Sequence, residues 1–275
     1  SVTSGCYNSD TFLALYMCYT ISAPPACSIV GASLLCPFST GNVYAAPAGM
    51  ATYAWSISGN GTITSALNGA SVTVTAGNTC NSSFTLSVTI TDGNGCTSSC
   101  FQVVSTVDAT PPSITCPAAA LTIACGTSLD PSVNTALNTW LTSASGSDAC
   151  GSVTVTNNYS QTGFSDLCGN TGSQTVTFTA TDACGNTSTC SAVINITDTT
   201  APGITCPANL SLVCDGDYAT EINTWISTAT SNDACGTPTI TTNFNINSLP
   251  VVACDAGTVT VIFTATDGCG NTATC

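Results

Sequence analysis

Alternation of apolar and polar residues dominates this chain. In "GASVTVTAG" (Gly69 to Gly77), "SFTLSVTITD" (Ser83 to Asp92), "GSVTVTNN" (Gly151 to Asn158) and "QTVTFTATD" (Gln174 to Asp182), roughly every second residue is apolar. A period of two turns successive side chains to opposite faces, so these stretches predict strands with one buried face. Turn residues separate them at short intervals, the spacing of an antiparallel sandwich. "TDACGNTSTC" (Thr181 to Cys190) predicts the hairpin between the last two strands. It recurs as "TDGCGNTATC" (Thr266 to Cys275) and, more loosely, as "TDGNGCTSSC" (Thr91 to Cys100). One stretch has a different period. "DPSVNTALNTWLTSA" (Asp130 to Ala144) predicts a helix, with Asp130 as N-cap and Pro131 in the first helical position. Val133, Leu137, Trp140 and Leu141 share one face of it, and Tyr218, Ile222, Trp225 and Ile226 repeat that face. The expected role is to plug one edge or end of a sandwich; a ligand-binding role for the tryptophans is the other reading.

These elements belong to a repeat. "DATPPSITCPAAALTIAC" (Asp108 to Cys125) returns as "DTTAPGITCPANLSLVC" (Asp198 to Cys214), and "LNTWLTSASGSDACG" (Leu137 to Gly151) as "INTWISTATSNDACG" (Ile222 to Gly236). The period of 85 to 90 residues suits one small domain. Four segments are expected: 1–26, the end of a preceding module plus linker; 27–107, a first sandwich; 108–197, a second; and 198–275, a third with its final strand cut short. The chain reads as a window on a longer array. The expected fold class is all-β: tandem Ig-like antiparallel sandwiches stapled by disulfides, with one short helix in each of the last two.

Composition narrows the chemistry. The chain has no Lys, Arg or His and 14 acidic residues, a net charge of −14. No basic patch can form for nucleic acid, and anionic membrane surfaces are disfavoured. The usual general bases, nucleophile activators and cationic clamps are missing, so no enzyme is expected and no catalytic residue is assigned. The longest apolar run, Thr11 to Ile21, is too short to span a membrane.

Nineteen cysteines imply an oxidising, extracellular setting. No zinc-ligand spacing is present, so disulfides are the expected use. The two full repeats hold six each: Cys116, Cys125, Cys150, Cys168, Cys184, Cys190, then Cys206, Cys214, Cys235, Cys254, Cys269, Cys275. The first module holds Cys27, Cys36, Cys80, Cys96 and Cys100, leaving Cys6 and Cys18. First and last strands of a sandwich can be neighbours, which predicts Cys27–Cys100, Cys116–Cys190 and Cys206–Cys275. Each closes a loop worth on the order of 4 kcal/mol in the chain-entropy model. Pairings within each module are expected for the rest: Cys36–Cys80, Cys125–Cys168, Cys214–Cys254, Cys150–Cys184 and Cys235–Cys269. Six cysteines allow fifteen connectivities, so spacing alone leaves these open.

The "D-x-T-x-P-x-I-x-C-P" opening and "T-A-T-D-x-C-G-N-T" close of residues 108–197 and 198–275 resemble hyalin-repeat (HYR-like) domains. The first module, through "YAWSISGNGTI" (Tyr53 to Ile63) and "CNSSFTLSVTITDGNGC" (Cys80 to Cys96), resembles the PKD-like, Ig-like domains of giant secreted bacterial surface proteins. The resemblance implies sandwiches strung end to end in a cell-surface stalk or secreted fibre, serving as non-catalytic spacers or adhesive units. The first functional expectation is a structural segment of an extracellular filament. The second is an adhesin module that binds glycan or protein through its loops. Partners would be neighbouring modules or subunits of the same protein, or a surface glycan or protein. In a polymerising form, the strand-like Leu13 to Ile21 would complete a neighbour.

No cofactor is required, but calcium suits the acids. Asp108 and Asp198 precede Thr-x-Pro turns, Asp92, Asp182 and Asp267 sit at hairpins, and Asp148 and Asp233 recur in "DAC". Calcium takes six to eight oxygens, which such acids could begin to supply. The competing reading is that each carboxylate caps its own turn. Asn-x-Ser/Thr sequons begin at Asn60, Asn81, Asn158, Asn186, Asn195 and Asn209, and Thr199 is a weaker O-glycosylation candidate.

Overall fold

A computed structural model describes residues 23–165, 167–213, 218–245 and 257–275. Cys6, Cys18, Cys214, Cys254 and the strand expected at Leu13 to Ile21 lie outside these. Among the described residues strands dominate, in several sheets, with two short helices. The chain divides into two compact units. Among the described residues, one comprises 23–114, 146–155 and 179–188, and the other comprises 115–145, 156–178 and 189–275.

In the first unit, β1 (Leu34–Leu35), β2 (Asn42–Ala45), β3 (Thr52–Gly59), β4 (Gly61–Ile63), β5 (Ser71–Ala76), β6 (Ser82–Thr91) and β7 (Thr97–Thr106) build an Ig-like sandwich. Its sheets run β1-β7-β6-β3 and β2-β5-β4. The alternation in the sequence becomes two faces. Trp55, Phe84, Leu86, Val88, Ile90 and Val104 point inward against Tyr44, Val72 and Val74, all less than 5% exposed. Tyr44 and Phe84 meet edge to face at 6.4 Å, and the indole N–H of Trp55 donates to the Gly69 carbonyl at 2.9 Å. The outer face of β3, β6 and β7 carries Thr52, Ser56, Ser58, Thr85, Ser87, Thr89, Thr97 and Ser99 in register, with Thr89 and Ser99 hydroxyls 2.8 Å apart. Phe101 and Val103 interrupt it, 70% and 51% exposed. No carboxylate lies on this face.

The chain passes from one sheet to the other at Gly59–Gly61. Gly59 has φ +93, and a Cβ there would lie 2.7 Å from the Ser83 carbonyl oxygen. Gly59→Ala is therefore expected to destabilise the sandwich by more than about 1 kcal/mol, readable as a lower midpoint in urea.

Beyond residue 107 come β8 (Ser113–Thr115), β9 (Leu121–Ala124), α1 (Thr135–Leu141), β10 (Ser145–Ser147), β11 (Val153–Asn157), β12 (Gly172–Asp182) and β13 (Thr187–Thr197). They are followed by β14 (Gly203–Thr205), α2 (Tyr218–Ile226), β15 (Thr230–Asn232), β16 (Thr239–Thr242), β17 (Phe263–Thr266) and β18 (Thr272–Thr274). The sheets are β10-β8, β11-β12-β13-β9, β14-β15 and β16-β17-β18. Entry strands β1 and β9 pair in parallel with closing strands β7 and β13. Alternation predicts strands but not their direction, so this parallel pairing is a feature the sequence pattern does not carry.

The helix starts later than expected. Asn134, not Asp130, caps α1, its side chain accepting from the Leu137 N–H at 3.0 Å. Asp130 and Pro131 instead form a preceding turn, in which Asp130 accepts from the Ser132 N–H at 2.8 Å. Val133 consequently lies outside the helix and is 69% exposed, while Leu137, Trp140 and Leu141 are buried. Trp140 is a core residue, and Trp225 is half-buried. Trp140 packs edge-on to Phe178 at 5.6 Å and Trp225 to Phe263 at 5.4 Å. Their indoles donate to the Ala119 and Ala208 carbonyls.

Candidate functional site: interlocked disulfides and paired carboxylates

Seven disulfides join described cysteines to one another. Three tie the opening segment of a module to its closing end: Cys27–Cys100, Cys116–Cys190 and Cys206–Cys275, with Cα atoms 5.7 to 5.9 Å apart. The others depart from the expected pairings within modules. Cys36 bonds Cys150, not Cys80, and Cys80 bonds Cys184. Cys125 bonds Cys235, not Cys168, and Cys168 bonds Cys269. The expected Cys150–Cys184 and Cys235–Cys269 pairs are thereby replaced. A single rule covers all four bonds once Cys80, third of the five in the first module, is matched with Cys168: the second and fourth cysteines of one repeat take the third and fifth of the next. The first two bridges lie within the first unit and the last two within the second. Their Cα atoms are 4.9 to 5.6 Å apart, inside the span a disulfide requires. Cys96 is also disulfide-bonded. It sits where Asn186 and Asn271 stand in the later hairpins, four residues after the aspartate.

The hairpin aspartates are occupied by their own turns. Asp182 Oδ1 accepts from the Cys184 and Asn186 N–H groups at 2.8 and 2.9 Å, and its Oδ2 from the Asn186 amide at 2.8 Å. The same amide reaches the Asp108 carbonyl at 3.1 Å, clamping the linker to the turn. Asp267 and Asn271 repeat this arrangement, with Asn271 reaching the Asp198 carbonyl at 3.4 Å. Asp92 accepts from the Asn94 and Cys96 N–H groups. Gly95, Gly185 and Gly270 supply the positive φ each turn requires.

Burial opposes ionisation of Asp182 and Asp267. The hydrogen bonds from Asn186 or Asn271 and from nearby backbone N–H groups outweigh it and hold both carboxyls below their ordinary range. A depressed folded-state pKa contributes stability above the unfolded value of about 3.9. That contribution is lost as pH falls through the folded value. Thermal stability should hold from neutrality to about pH 5 and drop below about pH 4. Asp182→Asn with Asp267→Asn should flatten the acid limb of a Tm-against-pH curve.

The remaining four expected calcium acids meet in two pairs. Carboxylate oxygens of Asp108 and Asp148 lie within 4.8 Å, beside the Cys150 sulfur. Asp198 and Asp233 stand in the same relation beside Cys235. The recurrence of "DAC" after each helix was the available signal. A cavity of 400 Å³ opens beside Asp108, walled by Leu34, Leu35 and Val107 and bordered by the Cys36–Cys150 bridge.

The sequons differ in access. Asn81, Asn158 and Asn209 are exposed, as is Thr199. The amide nitrogens of Asn60 and Asn186 are engaged in hydrogen bonds, and Asn195 lies in β13 beside Thr122.

Residues 22–106 match the family of PKD-like domains. This segment is similar to PKD-like modules and folds as an Ig-like sandwich. No curated protein matches the chain in sequence. Solved structures similar to it include the cis-dimer of protocadherin gammaB7, at 13% identity and TM-score 0.28, covering 91% of this chain and 71% of that one. The human desmocollin-1 ectodomain aligns at 12% identity and TM-score 0.23 over 92% and 59%. Fibronectin(III)-like modules of Clostridium thermocellum CbhA align at 11% and 0.23 over 63% and 95%. The density of disulfides marks an oxidising, extracellular setting.

Proposed function

We propose that this chain is a non-catalytic structural segment of an extracellular repeat filament or cell-surface stalk. The observation that carries this reading is the bridging rule. Cysteines that could have closed inside one repeat are spent on the next, so consecutive repeats are coupled covalently as well as through the backbone. The HYR-like openings of residues 108–197 and 198–275 fit the same architecture. Electron microscopy of native material without reductant tests it. A continuous thread of stacked repeats is expected; compact isolated particles would overturn it.

Adhesion is the second reading, and one observation favours a particular form of it. Phe101 and Val103 stand exposed on a sheet face lined mainly by Ser and Thr hydroxyls. An apolar pair on a flat sheet suits a protein partner better than a sugar. Phe101→Ser would then weaken attachment to the partner surface while leaving thermal stability unchanged.

A further inference from the structure

We infer that the two aspartate pairs, Asp108 with Asp148 and Asp198 with Asp233, are calcium sites. This stands whether or not the chain is a filament segment. Each pair brings two carboxylates within 4.8 Å. Two oxygens at that separation can both lie at about 2.3–2.6 Å from one ion. The pairs cannot be neutralised from within, because the chain holds no Lys, Arg or His. Nor are they merely solvated surface acids. Asp108 is only 6% exposed. Asp198 Oδ2 is shut off from solvent and receives no hydrogen bond.

Turn capping uses one oxygen of each carboxylate. The Thr110 N–H donates to Asp108 Oδ1, Cys150 to Asp148 Oδ1, Thr200 to Asp198 Oδ1 and Cys235 to Asp233 Oδ1. The second oxygens are the ones left for an ion. At Asp198 that second oxygen is buried with no donor, and beside the Asp233 carboxylate it carries an unmet demand for positive charge. The sulfurs of Cys150 and Cys235 are in disulfides, so no thiolate is available and the donors are hard oxygens. That donor set selects calcium over zinc or copper. Few protein ligands and several waters imply weak binding, with Kd on the order of 10⁻⁴ to 10⁻³ M, which matches extracellular calcium modules.

The test titrates CaCl₂ into the oxidised full chain by calorimetry, with Tm measured in parallel and NaCl added to matched ionic strength. The salt control separates a site from general screening of a chain carrying −14. Saturable uptake of about two ions per chain is expected, with Tm raised by about 2–6 °C at ten times Kd. Asp108→Asn with Asp198→Asn keeps each Oδ1 acceptor and should fold. It should lose the uptake and the Tm response while melting no lower than wild type in EDTA. Asp148→Asn with Asp233→Asn should behave alike. Absence of saturable uptake in wild type would overturn the inference, as would uptake unchanged in both double variants.

Discussion

Pulled between residues 27 and 275, the oxidised chain should extend to a limit of about 130 Å, against about 870 Å after reduction. The reason is where the first-to-last bridges sit. Tension entering at Cys27 crosses directly to Cys100, passes along the linker to Cys116, crosses to Cys190, and reaches Cys275 through Cys206. Only two linkers, each of 15 residues between its cysteines, lie in that path. The sandwich cores between bridged cysteines are never loaded to unravelling. Single-molecule force spectroscopy with and without reductant reads both limits. Stepwise unfolding of whole sandwiches in the oxidised chain would refute the bridge assignment.

Phe84→Ala should cost about 3–5 kcal/mol, the largest effect expected from one side-chain truncation in the PKD-like module. Phe84 is 1% exposed, packs edge-on to Tyr44, and lies beneath the crossover at Gly61, where a Cβ would fall 2.8 Å from its ring. The crossover can collapse little into the space left, because Asn60 is fixed by bonds to the Ser83 carbonyl and the Thr79 carbonyl. Trp55 belongs to the same core, so its fluorescence in a urea titration reports the loss directly. A change under about 1 kcal/mol would mean that the core repacks.

The strands were legible because alternation is local. "SFTLSVTITD" states its buried face residue by residue, and β6 buries Phe84, Leu86, Val88 and Ile90 as written. The helix boundary was less so. Asp130-Pro131 has the chemistry of a helix start, but Asn134 offers the cap that lets Leu137, Trp140 and Leu141 reach the core together. The disulfide partners of Cys36 and Cys125 were not legible from their own repeats. Spacing within a repeat says which cysteines are close in sequence; it carries no information about which loop of the following repeat comes within 5 to 6 Å. The aspartate pairs fell between these cases. Both members were visible as recurring residues, but their meeting depends on how the loop after each helix folds back to the linker.

The overlapping bridges also decide how such a chain ages. Every peptide bond from Cys27 to Cys275 lies inside at least one disulfide-closed ring, since the bridges from 27, 36, 80, 116, 125, 168 and 206 overlap without a gap. One proteolytic nick anywhere in that span therefore releases nothing. Even a cut through the linker at residues 107–112 leaves the two sides joined by Cys36–Cys150 and Cys80–Cys184. Wear of this kind accumulates silently as nicks in an unbroken molecule. A change of redox conditions would make all of that hidden damage count at once.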